Sequence, residues 1–148
     1  MNLPAPADLF ALTSTLMAPL WLVLTLSLFI ARLEPIAQWI ARIGLPLAFG
    51  GLYAAALLPH LPFESGGFGS LAELRTLFAD DWLLLAGWVH YLVFDYFVGA
   101  WIARDTAPVP RLLVVVCLAA CFLAGPLGLL IYLLLRGASL ALIRARLS

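Results

Sequence analysis

A chain of 148 residues that is 65% hydrophobic and only 11% charged excludes a soluble domain. Such a domain needs a charged surface around its core, whereas lipid tolerates an apolar exterior. Net charge is zero, and all eight cations are arginines. No basic face for nucleic acid is therefore expected, and the chain is too short for two membrane domains.

A helix crosses a bilayer with about 20 apolar residues. In chain order, spans are predicted over residues 9–31, 43–60, 82–103 and 112–135, giving one all-α membrane bundle of four transmembrane helices over 1–148. The first residues lack the positive start of a cleaved signal, so the first apolar stretch reads as a retained span. Arg32, Glu34 and Arg42 mark the first turn. Arg104, Asp105, Pro108, Pro110 and Arg111 mark the third. Both turns are short, so the helices they join are expected to be antiparallel neighbours.

The middle connection, residues 61–81, begins with breakers from Pro62 to Gly67. Ser70 followed by Glu73 then forms a capping-box pattern for a short amphipathic helix over about 70–79. Leu71, Leu74, Leu77 and Phe78 share one of its faces. That face either lies on the membrane surface or closes the mouth of the bundle. With four crossings, both termini and the middle connection share one side, carrying Arg75, Arg136, Arg144 and Arg146. Arg32, Arg42, Arg104 and Arg111 then lie opposite. The positive-inside rule meets a tie and assigns no orientation.

Inside the spans, Pro19, Pro46 and Pro126 are expected to kink helices, with a cavity between them as one outcome. Gly50-Gly51 and Gly125-Pro126-Leu127-Gly128 are candidate sites of close approach. The third span holds His90 and Asp95, and an ionisable group at membrane depth marks a functional-site candidate. Counted at about 1.5 Å per residue, His90 falls level with Tyr53 and with Gly125-Pro126, and Asp95 with Cys121. At 100° per residue the two side chains diverge by about 140°, which argues against a direct dyad. Asp95 also has a purely structural reading, as a residue that locks helix packing.

His60 ends the second span at the interface, so His60 and His90 lie at unequal depths and do not suit a shared haem. Too few ligands group together for zinc. Cys117 and Cys121 read as small core residues.

The run Trp88, His90, Asp95, Gly99, Trp101, Arg104 and Asp105, followed by Gly125-Pro126-Leu127-Gly128 and Tyr132, resembles the abscisic-acid-deficient-four-like family of small integral-membrane proteins. The resemblance covers nearly the whole chain. It implies a role in xanthophyll metabolism, because plant plastid members are needed to convert violaxanthin to neoxanthin. In that isomerisation an epoxide opens as a proton leaves carbon, which calls for a base and an acid but no cofactor. His90 and Asp95 are then the candidate catalytic pair. Tyr53 and Arg104 are candidates for stabilising oxygen, with Trp88, Trp101, Gly125 and Pro126 as further ligand-binding candidates. A carotenoid or similar isoprenoid is the implied ligand, and the bilayer the implied partner.

The lysine-free composition and the absence of a transit peptide point to a bacterial inner (cytoplasmic) membrane. The alternative is a non-catalytic subunit or scaffold whose buried polar residues hold the helices together. A third reading, a proton relay or transporter through Asp95 and Arg104, requires a homo-oligomer.

Overall fold

The computed structural model describes residues 4–105 and 108–147. Its elements are helices: α1 (Pro6–Ser27), α2 (Glu34–Trp39), α3 (Leu45–Leu57), α4 (Leu71–Leu77), α5 (Asp81–Arg104) and α6 (Arg111–Leu147). Four helical stretches are long and apolar enough to cross a membrane, beginning at Pro6, Ala31, Asp81 and Arg111. The all-α membrane fold expected from composition is what the chain adopts.

Buried positions on α1 are Leu9, Thr13, Met17, Trp21 and Leu24, with Leu28 just past its end. Their steps of four and three trace one stripe of a 3.6-residue helix. On α5 the stripe runs through Leu85, Val89, Leu92, Tyr96 and Ala100. The opposite faces expose Leu22, Leu84, Phe94 and Phe97, which is stable only against hydrocarbon. Thr13, Thr15 and Thr25 donate their hydroxyls to carbonyls four residues earlier in α1, so these groups are satisfied without water.

The second span starts earlier than the pattern of apolar residues suggests. α2 continues through a π-helical segment, Ile40–Gly44, directly into α3. Pro46 explains the wide turn, because it offers no N–H to the Arg42 carbonyl and its ring crowds the preceding turn. Gly50 and Gly51 have nothing within 4 Å of a built Cβ, so the close approach expected there does not occur.

The chain forms two compact units. The first combines Met1–Pro19 with Ile43–Val93, and the second combines Leu20–Arg42 with Phe94–Ser148. In the first, α4 is capped as its sequence predicts: the Glu73 N–H donates to Ser70 Oγ at 3.2 Å, and Glu73 Oε2 accepts from the Gly69 N–H at 3.1 Å. Leu77 is buried and Leu71 is 80% exposed. Asp80 caps α5, its Oδ1 accepting from the Trp82 and Leu83 N–H groups at 2.8 and 3.1 Å.

The second unit is dominated by a reversal within α6. Ala124 is extended (φ −161°, ψ 80°) and separates two helical limbs, residues 111–123 and 125–147. In a straight helix Gly128 would lie about 10 Å along the axis from Cys121 and about 16 Å from Cys117. Instead a Cβ at Gly128 would overlap the Cys121 amide nitrogen and sit 2.7 Å from the Cys117 carbonyl oxygen. The limbs therefore pack against each other as a helical hairpin.

The returning limb runs beside α5 in the same direction. Gly125 meets Asp95, the Tyr132 ring packs edge-on against Trp101 at 5.8 Å, and Arg136 Nε donates to Asp105 Oδ2 at 2.7 Å. These three contacts occur in the same order along both helices. Proline at 126 suits this arrangement, because the start of a helix has no partner for its N–H.

Candidate functional site

The first unit contains an apolar cavity of about 270 Å³. α5 contributes Ala86, Gly87 and His90, which recur at helical spacing on one face. α3 contributes Tyr53 and Leu57. The middle connection closes it with Phe63, Phe68, Leu77 and Phe78. Of the apolar face of α4, Leu77 and the C-cap Phe78 border this cavity, whereas Leu71 is exposed. The Tyr53 and His90 rings lie 6.0 Å apart between centroids, inclined at 46°.

A second apolar hollow of about 430 Å³ shares Phe78 and Gly87 with the first. Its other lining residues include Phe10, Leu84, Trp88 and Tyr91. Trp88 packs in tilted contacts against Phe10 (5.1 Å) and Tyr91 (5.3 Å). Its indole N–H donates to Ser14 Oγ at 3.1 Å, which fixes the ring. The Phe78 ring carbons lie 3.2 Å from where a Cβ at Gly87 would stand. Glycine at 87 lets this ring rest on the helix backbone between the two hollows.

His60 belongs to a different, more polar cavity of about 710 Å³, with Glu64, Ser65, Thr76 and Asp80. Its Nδ1 is 2.9 Å from the Ala56 carbonyl and its Nε2 is 3.8 Å from Asp80 Oδ1. Among the described residues no three His, Cys, Asp or Glu side chains converge as a metal site.

The remaining site residues predicted from sequence lie in the second unit. Asp95 has its carboxylate against Gly125, where a Cβ would overlap it. Depth counting had placed Gly125 level with His90. The count assumed a straight fourth helix, and the break at Ala124 invalidates it. Trp101 packs on Tyr132, and Pro126 is exposed. Arg104 borders a hollow of about 70 Å³ with Gln38, Arg42 and Trp101. It also borders one of about 360 Å³ with Glu34 and Arg111. Cys117 and Cys121 are buried free thiols.

The structure brings His90 together with Tyr53, and Asp95 together with Gly125. His90 and Asp95 belong to different units, five positions apart on an uninterrupted α5. Sequence reasoning missed Phe63, Phe68 and Gly87 as lining residues. Phe78 was placed on the apolar face of its helix but not in a site, since amphipathicity does not identify what a face covers.

No curated protein and no solved structure matches the chain. The profile of the ABA DEFICIENT 4-like family matches it over residues 8–132. That region includes α1 to α5 almost entirely, the His90 cavity, Asp95 and the hairpin turn at Ala124. With well over half its length matched, this membrane chain belongs to the ABA DEFICIENT 4-like family.

Proposed function

We propose that this protein binds the end-group of an isoprenoid lipid of the carotenoid type in the His90–Tyr53 cavity and isomerises it without a cofactor. The observation that carries the reading is the convergence of a base-type and an acid-type side chain, 6.0 Å apart between ring centroids, on an otherwise aromatic and aliphatic wall. Its volume of about 270 Å³ falls just below the range of drug-sized ligand pockets, about 300 to 1,000 Å³. It suits one ring of a long ligand rather than the whole molecule.

For an epoxide end-group the reaction balances within these two side chains. A ring nitrogen of His90 removes a proton from carbon, and the released electron pair forms the new carbon–carbon double bond. The epoxide C–O bond breaks, and the oxygen takes the Tyr53 hydroxyl proton. The imidazolium then returns its proton to the phenolate through one water, and no electron leaves the system.

The alternative, a non-catalytic scaffold, is favoured by one observation of its own. Asp95 faces Gly125 at the start of the returning limb. A carboxylate there is stabilised by the limb's dipole, and the limb is held in place by the carboxylate. We therefore assign Asp95 to holding the hairpin and His90 and Tyr53 to the chemistry.

The test is mass spectrometry and absorption spectroscopy of apolar molecules that co-purify with the native protein. The wild type and His90→Gln should carry an isoprenoid, and His90→Trp, which fills the cavity, should not. In a turnover assay His90→Gln and Tyr53→Phe should lose at least about 100-fold in rate, the contribution of a general acid or base. A wild type that purifies without any isoprenoid, together with unaltered stability in all three variants, would overturn the site and leave the scaffold reading.

A further inference from the structure

The hairpin in α6 decides on which side of the membrane the C-terminal segment emerges. The limb of residues 111–123 rises about 20 Å, short of the roughly 30 Å hydrocarbon core. Its tip at Ala124 and Gly125 lies at Asp95, well inside α5. The returning limb reaches Arg136 at the level of Asp105, one residue beyond the end of α5. Both limbs thus open toward the same end of α5. Non-helical backbone is tolerated at membrane depth only where protein covers it, and here Gly125 and Gly128 are buried against Asp95, Cys121 and Cys117.

We propose that α6 is a re-entrant hairpin, so that the C-terminal helix leaves the membrane by the face at which α5 ends, and that this face is cytoplasmic or its organellar equivalent. α5 has 24 residues and rises about 36 Å, so Asp81 and Arg104 meet opposite faces of a bilayer. Arg32 and Arg42 precede or open the second span, while Arg104 and Arg111 flank the loop after α5. With the hairpin, Arg136, Arg144 and Arg146 join these four. Arg75 is the single arginine left at the Asp81 end.

Acidic residues divide in the opposite sense. Asp8, Glu64, Glu73, Asp80 and Asp81 accompany the start of α1 and the middle connection, whereas Glu34 and Asp105 accompany the arginines. Four straight crossings gave an arginine tie, and the reversal turns it into seven against one. Arginine excess in short flanks marks the cytoplasmic face, where anionic headgroups attract it. The hollow of about 360 Å³ between Arg104 and Arg111 opens on that face.

The experiment is labelling of single cysteines with a membrane-impermeant maleimide, on intact sphaeroplasts and on inverted inner-membrane vesicles from a bacterial host. Ala138→Cys and Ser65→Cys use exposed positions. The wild type, whose Cys117 and Cys121 are buried, is the unlabelled control. Ala138→Cys should label only in inverted vesicles and Ser65→Cys only on sphaeroplasts.

Labelling of both from one side would overturn the re-entrant hairpin, and labelling from opposite sides in the reversed sense would overturn the orientation. Added to Ala138→Cys, the exchanges Arg32→Gln, Arg144→Gln and Arg146→Gln should raise its labelling on sphaeroplasts at least several-fold. No rise would overturn the arginines as the cause. None of these outcomes depends on what the His90 cavity binds.

Discussion

The two units use the same kind of residue to opposite ends. In the first, Tyr53, Phe63, Phe68, Phe78 and Trp88 border hollows of about 270 and 430 Å³. In the second, Trp21 packs edge-on against Tyr96 at 5.6 Å and against Phe122 at 5.7 Å, and Tyr132 is fully buried beside Trp101. Small residues enforce the difference. Gly99 admits the Trp21 ring at 2.7 Å from where its Cβ would be, and Gly125 and Gly128 admit the hairpin. Aromatic rings alone therefore do not mark a binding site. Rings held apart by a capped connection leave space, and rings seated on glycine remove it.

The sharpest way to break this contrast is Gly128→Val, whose side chain meets the Cys121 amide nitrogen and the Cys117 carbonyl oxygen, backbone atoms that cannot swing aside, as well as Cys121 Sγ. We expect a loss of more than about 3 kcal/mol, the scale of severe overpacking. It should be read as failure to recover folded protein in detergent. Gly125→Ala meets the Asp95 carboxylate, which can rotate, so about 1–3 kcal/mol is expected from thermal unfolding. If either variant unfolds like the wild type, the hairpin is not packed as described.

Asp95→Leu should cost about 1–3 kcal/mol by removing the carboxylate that faces the start of the returning limb. If it instead abolishes turnover while leaving unfolding unchanged, Asp95 belongs to the chemistry and not to the hairpin. Phe78→Ala acts on the other unit. Its ring is only partly buried, so the stability loss should be about 1 kcal/mol, yet the two hollows it separates should merge. The expected readout is acceptance of a bulkier isoprenoid end-group in a binding assay, and unchanged selectivity would refute Phe78 as the divider. Arg136→Gln removes a partly exposed ion pair with Asp105 and should cost at most about 1 kcal/mol.

Much of the fold is legible in the residues. The α4 cap follows from Ser70 and Glu73, whereas α1 is apolar nearly all round, so its inward face is set by packing. His90 was marked by the expense of an imidazole at membrane depth, and Tyr53 by depth counting, because α3 and α5 keep nearly straight helical registers. Gly125 was misplaced by the same arithmetic, since one extended residue at Ala124 reverses everything after it. Gly-Pro at 125–126 signalled a kink, but a kink and a full reversal share the same local sequence.

Composition and spacing by themselves determined that the chain is a helical membrane protein, because burial in lipid demands apolar length and internally satisfied backbone. They also determined where its ionisable residues interrupt the spans. Only the tertiary structure decided that His90 shares a cavity with Tyr53, that Asp95 meets the hairpin, and that Arg136 returns to Asp105. These depend on contacts between residues tens of positions apart, and a rotation or reversal of one helix changes them without altering the periodicity of any segment.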